Sequence, residues 1–293
     1  MHDEPHMGVP APPEASVGCP LNRRELVGLL GASAVASLVG SGTAVAASLG
    51  GAPRPGRRIV LNAKPEPITL DTAKTGMLVV DMQNDFGSTG GMFDRAGIDI
   101  SMIQRAVAPT ARVIAAGRDA GMKVVYLKMG YHPDLSDLGS ADAPNRARHM
   151  RLNVGQAVRA PNGAASRILV RDTWGTEILE ALKPRPDDIV MYKTRFSGFY
   201  RTDLDAVLTR LGVRTLVVTG CTTSICVDST VRDAMFRDYS CAVLSDCTAE
   251  PIGNDLPRSN HEASLLAFQV LLGWVSDSGA FLKALAADST ATR

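Results

Sequence analysis

The chain has few cysteines, no surplus of charge and no long apolar run, and each shortage closes off a class of function. Its five cysteines show none of the CxxC spacing that holds zinc. Lysine and arginine number 31 against 30 aspartates and glutamates, so nothing broadly electrostatic favours nucleic acid or an anionic membrane, and the main body carries no sustained basic patch. After the first strand pattern comes Met82-Gln83-Asn84-Asp85-Phe86-Gly87, not the G-x-G-x-x-G turn of dinucleotide sites. There is no internal repeat and no low-complexity tract in the main body. What is present is 293 residues, 45% apolar and 21% charged, the profile of a globular protein with a real core. The expected partner is a small molecule, and no cofactor is implied.

The N-terminal region differs in composition from the rest. Asn22-Arg23-Arg24-Glu25-Leu26 precedes a weakly apolar run to Val39, diluted by Gly28, Gly31, Ser33 and Ser37, and Ala44-Val45-Ala46 follows as a small-x-small cleavage pattern. This resembles a twin-arginine export signal. The run falls short of the ~20 apolar residues that span a bilayer, so no stable membrane anchoring is expected after cleavage. The expected organisation is a signal over residues 1–46, a flexible lead-in over 47–63 rich in proline and glycine, and one globular domain over 64–293. The localisation expected is periplasmic or extracellular, with the cytoplasm as the alternative. Cys19 would leave with the signal, and the pairing of Cys221, Cys226, Cys241 and Cys247 cannot be read from spacing.

From Gly76 onward, apolar runs alternate with helical patterns. Strands are predicted over Met77–Val80, Lys123–Leu127, Ile189–Tyr192, Thr215–Thr219 and Ser240–Leu244. Helices are predicted over Ile103–Ala120, Leu204–Leu211, Cys226–Asp238, Asn260–Leu272 and Ala280–Ala287. Continuous Val/Leu/Ile strands separated by helices predict an α/β fold with a doubly wound, mainly parallel sheet covered on both faces. Between Met129 and Trp174 the alternation breaks, with Pro133, Pro144 and Pro161 in a long excursion from a strand's carboxyl end. Open α/β sheets bind ligands at that edge, so the excursion reads as a substrate-specificity segment. The helices Asn260–Leu272 and Ala280–Ala287 offer apolar faces for a homo-oligomer.

Three chemically active residues fall at strand ends on that one rim. Asp81 follows Met77–Val80, Lys193 follows Ile189–Tyr192, and Cys226 lies past Thr219 where a small-residue turn opens a helix. An ammonium and a helix N-terminus both favour a thiolate, which predicts a lowered thiol pKa at Cys226. A carboxylate can take the thiol proton and return it to a leaving amine.

Val79-Val80-Asp81-Met82-Gln83-Asn84-Asp85-Phe86, Tyr192-Lys193-Thr194-Arg195-Phe196-Ser197-Gly198-Phe199 and Gly220-Cys221-Thr222-Thr223-Ser224-Ile225-Cys226-Val227 resemble the three signature segments of the isochorismatase-like cysteine hydrolases. Lys64-Pro65-Glu66-Pro67-Ile68-Thr69, the Arg195–Phe199 run and Gly273-Trp274-Val275-Ser276-Asp277 are similar to ureidoacrylate amidohydrolases, whereas His132–Leu138 is similar to biuret hydrolases. The resemblance implies a catalytic triad of Asp81, Lys193 and Cys226 and a cis peptide between Cys221 and Thr222. It also implies an oxyanion hole from the N–H groups of Thr222 and Cys226, and hydrolysis of a C–N bond in a small amide, ureido or carbamoyl substrate through a thioester. Phe86, Phe199 and Tyr200 are expected to wall the pocket, and Arg195 to meet a substrate carboxylate. Nicotinamidase relatives bind metal through an Asp-x-His pair. Gly130-Tyr131-His132 stands in that place, so no metal is expected. The rival readings are another amide hydrolase, for biuret or an N-carbamoyl amino acid, and an exported binding protein without activity.

Overall fold

The computed structural model describes residues 56–287 apart from 254 and 256. The expected export signal, and the lead-in up to residue 55, lie outside the described residues.

Residues expected to belong to the flexible lead-in are partly ordered. Arg58–Leu61 (β1) pairs antiparallel with Ile68–Asp71 (β2). The reason is apolar alternation: Ile59 and Leu61 are buried in one cluster with Leu70 and with Phe281 and Leu285. The chain then enters Thr75–Val80 (β3), Asn84–Gly87 (α1), Met92–Arg95 (α2), Ser101–Asp119 (α3) and Lys123–Met129 (β4). The excursion follows with Pro144–Arg151 (α4) and a small hairpin of Ala157–Arg159 (β5) and Ala165–Arg167 (β6). Ile189–Lys193 (β7), Leu204–Arg210 (α5), Thr215–Cys221 (β8), Asp228–Met235 (α6), Ser240–Ala249 (β9), Asn260–Ala267 (α7), Trp274–Ser276 (β10) and Ser278–Ala287 (α8) complete it.

Six strands form one parallel sheet in the order β10-β9-β8-β3-β4-β7. Alternation along each strand sends side chains to two separate cores. Met77, Val79, Val124, Tyr126 and Val217 pack on the face with α3 and α8. Leu78, Val80, Val125, Leu127, Leu216 and Val218 pack on the face with α5 and α6. Each such fully buried side chain contributes about 1.5–3 kcal/mol by leaving water. On α3, Ile103, Ala106, Thr110, Val113, Ile114 and Gly117 are buried at helical spacing. A Cβ at Gly117 would come within 2.0 Å of Met77 Sδ, so glycine is what lets the helix lie this close to β3. The sheet edge at β10 is closed by Lys64, whose N–H donates to Val275 O at 2.8 Å while Val275 N–H donates back to Lys64 O at 2.9 Å.

From β3 the chain steps outward through β4 to β7, then crosses back to β8 and outward the other way through β9 to β10. The strand order therefore reverses between β3 and β8. Their carboxyl ends form the crevice in which open α/β sheets bind ligands.

Candidate active site

All three strand-end residues predicted from the sequence meet at this switch point. β3 leaves the sheet at Asp81, which has φ 53°, a left-handed conformation unusual for a side chain with a Cβ. Two sets of bonds hold it there. Asp81 N–H donates to Leu127 O at 2.9 Å. Two residues on, Gln83 clasps the backbone of Met129, donating from Nε2 to its carbonyl at 2.9 Å and accepting its N–H at 2.8 Å. β7 ends on Lys193, whose Nζ lies 2.7 Å from Asp81 Oδ2 with both side chains wholly buried. Nζ also donates to Arg195 O at 3.2 Å.

β8 delivers the thiol. Gly220 has φ 121°, and a Cβ there would sit 2.0 Å from Val80 O, so only glycine lets the two strands stay this close. The Cys221–Thr222 peptide is cis. Cys221 Sγ donates to Asp81 O at 3.3 Å. Burial, first among several causes, pushes its thiol well above the ordinary range. The segment Thr223–Val227 is one π-helical turn, and α6 begins only at Asp228; Cys226, expected to open the helix, therefore lies inside that turn, two residues before α6. Thr230 Oγ1 anchors it, donating to Cys226 O at 2.6 Å.

The electrostatics depart from the expected lowered thiol pKa. Burial raises Cys226, and Asp81 raises it further, against the opposing pull of Lys193. Burial also raises Asp81, against Lys193 and the thiol. For Lys193 burial acts downward and is outweighed by Asp81 and Cys226, leaving the ammonium strongly held. Burial thus disfavours the thiolate at Cys226, while the Lys193 ammonium beside Asp81 favours the ionised carboxylate. Cys241 and Cys247 are also free and buried, each pushed up to about 12 by burial first of all.

Above the thiol is a cavity of about 400 Å³. Phe86, Met92 and Phe93 from α1 and α2 wall it, with Met129, Phe196, Ile225 and Ile252; Cys221, Thr222 and Cys226 also border it, and α4 and its exit contribute Arg148, His149, Arg151 and Leu152. Of the four expected substrate contacts, Phe86 lies in this lining and the other three do not. Arg195 is committed elsewhere, donating from Nη1 to Thr194 O at 2.6 Å and Asp137 O at 3.1 Å. Phe199 is buried with Tyr239 at a ring separation of 5.9 Å, in the core beneath α5 and α6. Tyr200 is exposed, its ring centre 5.7 Å from the Arg195 guanidinium and 5.4 Å from that of Arg201. Phe196 takes their place, its ring 5.9 Å from His149. The residue after a strand end that faces a cavity depends on an irregular turn, which has no period to read.

Three supports were not anticipated in the sequence. Asp85 accepts from Met92 N–H at 3.2 Å and Leu169 N–H at 2.8 Å, tying α2 to the excursion, and burial pushes its carboxyl up to about 6. His149 Nδ1 lies 2.7 Å from Asn145 O and Nε2 lies 3.3 Å from Tyr131 Oη, with burial lowering its pKa. Glu250, wholly buried, braces the turn that carries Cys226. Its Oε2 accepts from Ser224 N–H at 2.8 Å and Ser224 Oγ at 2.6 Å, and Oε1 accepts from Ile252 N–H at 3.1 Å. Glu250 directly follows β9, on the rim that carries Asp81 and Lys193, so the same strand-end reasoning could have found it. His132 is exposed and lies 3.7 Å from Asp137. Among the described residues no cluster of three His, Cys, Asp or Glu side chains could hold a metal.

Comparison with known proteins gives a consistent picture. The isochorismatase domain model matches residues 75–279. A ureidoacrylate amidohydrolase, RutB, of Methylobacterium radiotolerans is 42% identical over 233 residues, covering 80% of this chain and 88% of that protein. RutB of Variovorax paradoxus is 39% identical over 250 residues, covering 85% and 95%. Among solved structures, a cysteine hydrolase from Pseudomonas syringae pv. phaseolicola superposes with a TM-score of 0.62 at 29% identity, covering 74% of this chain and 95% of that one. N-carbamoylsarcosine amidase from Thermoplasma acidophilum superposes with a TM-score of 0.52 at 26% identity, covering 70% and 96%.

Proposed function

The chain belongs to the isochorismatase domain family, and on that footing we propose that it is a cysteine amidohydrolase that cleaves a C–N bond in a small ureido acid of the ureidoacrylate type. The observation that carries this reading is the thiol of Cys226 bordering the cavity beside the buried Asp81–Lys193 pair at 2.7 Å. The names of the relatives that share 39–42% of their residues with it support the substrate class.

In the proposed reaction Cys226 Sγ bonds to the ureido or amide carbonyl carbon as its proton passes to Asp81, and the carbonyl π electrons move onto oxygen. The N–H groups of Thr222 and Cys226 receive that oxyanion; one such donor is worth about 3–4 kcal/mol in the transition state. Collapse breaks the C–N bond, and Asp81 returns the proton to the departing nitrogen. Water then gives a proton to Asp81 and its oxygen to the acyl carbon, the C–S bond breaks, and the thiol is restored. Lys193 stays charged throughout and offsets negative charge on sulfur and on the carboxylate.

Ammonia release from ureidoacrylate, biuret, an N-carbamoyl amino acid and nicotinamide tests the reading. The highest kcat/KM is expected for ureidoacrylate; absence of release from every substrate would reject hydrolysis, and a maximum on biuret would move the assignment to ureides. None of residues 132–138, which resemble biuret hydrolases, lines the cavity.

We also propose export, on Arg23-Arg24 and the weakly apolar run behind them. N-terminal sequencing of the exported protein is expected to start after Ala46, and a mature protein beginning before Arg23 would refute it.

A further inference from the structure

We infer that Arg148 and Arg151 form a carboxylate-binding subsite, so that the cavity selects anionic ureido acids over neutral ureides. The inference rests on the cysteine hydrolase reading and names what that site recognises beyond the scissile bond. Several arginines lie in the excursion or bond to it, and their hydrogen bonds separate them. Arg195 is held by two backbone carbonyls. Arg171 is paired with Asp137 Oδ2 at 2.9 Å and bonded to Gly130 O. Arg146 donates to Gly139 O at 3.4 Å. Arg148 and Arg151 border the cavity directly, and among the described residues neither forms an ion pair.

Their placement on α4 explains why both reach the same space. Positions three apart on a helix share a face, and Leu152, four after Arg148, completes that face in the lining. The first turn of α4 has no acidic residue, and its last turn holds Arg148, His149 and Arg151. The rest of the lining contains no carboxylate, and Asp81 beside the thiol is already paired with Lys193. Burial holds His149 toward its neutral form, so the positive charge of this wall comes from the two guanidinia. A planar guanidinium matches a carboxylate in two parallel N–H···O bonds. Because α4 belongs to the excursion between β4 and β7, selectivity would be carried by the segment inserted into the sheet rather than by the triad.

Binding can be read apart from catalysis by using Cys226→Ala, which cannot form a thioester. Calorimetry would compare 3-ureidoacrylate with its neutral methyl ester in that background, with and without Arg148→Gln/Arg151→Gln. The anion is expected to bind tighter than the ester, and the double substitution to shrink that preference about 10- to 100-fold, the range for hydrogen bonds to charged groups. Arg148→Lys/Arg151→Lys keeps the charge and is expected to retain part of the preference. No preference for the anion, no binding of it, or a preference that survives the glutamines would each overturn the subsite. A charge preference in the Cys226→Ala background alongside no ammonia release by the wild type would instead reject the hydrolase reading and leave the subsite standing.

Discussion

Cys226→Ala is expected to lower ammonia release from the best substrate by about 10,000-fold or more, because it removes the atom that, in the proposed reaction, bonds to the carbonyl carbon. The fold should survive. The side chain is small, it borders the cavity as well as the core, and the backbone bond from Thr230 Oγ1 to residue 226 does not involve sulfur. Melting temperature near that of the wild type, with activity lost, is the expected pair of results. Acid quenching of the wild type during turnover, followed by peptide mass spectrometry, should find the acyl mass on the peptide containing Cys226. That peptide also contains Cys221, so fragmentation must assign the adduct. Cys221 is the less suited of the two: its thiol donates to the backbone carbonyl of Asp81, whereas the thiol of Cys226 interacts with the side chains of both Asp81 and Lys193. An adduct on Cys221, or a Cys226→Ala enzyme that keeps more than about a hundredth of its activity, would overturn the assignment of the nucleophile.

The fold was legible because β3, β4, β8 and β9 are covered on both faces and so spell continuous apolar runs. Helices emerged wherever one face is buried at helical spacing, as in α3. Where the backbone leaves regular geometry, the reading lost resolution. The single helix expected over Asn260–Leu272 is α7 followed by a π-helical turn at Phe268–Leu272. Arg58–Leu61 was assigned to a flexible segment because four residues beside proline and glycine carry too little pattern to register as a strand. In the site, Asp81 and Lys193 were readable from the rule that parallel strands end on one rim. The partners of Arg195 were not, because they depend on backbone carbonyls brought in from Asp137. The direction of the shift at Cys226 differs from the expected one for a different reason. A helix dipole and a lysine can be seen in a sequence, whereas the loss of hydration, here the largest cause, appears only when the chain is folded.

That burial makes the two partners of the thiol separable by experiment. Lys193→Met and Asp81→Asn are both expected to reduce kcat/KM by about 1,000-fold or more, since each removes one charge from a unit that works together. Their effects on the thiol itself should have opposite signs. Lys193 pulls the Cys226 pKa down while Asp81 pushes it up. Iodoacetamide modification at a fixed pH near 8 should therefore slow in Lys193→Met and quicken in Asp81→Asn, even though neither turns over substrate. Equal slowing in both would indicate that Asp81 and Lys193 only shape the cavity, and would sink their assignment to proton transfer and charge stabilisation. Stability supplies an independent check. Each single substitution leaves a wholly buried charge without its partner, which costs about 3–5 kcal/mol when a buried pair is broken. Asp81→Asn/Lys193→Met removes both charges together, so its destabilisation should be smaller than the sum of the two single losses. Additive losses would mean that the 2.7 Å contact carries little coupling, and the thiol would then be left with a charge environment unlike the one that makes Asp81 its base.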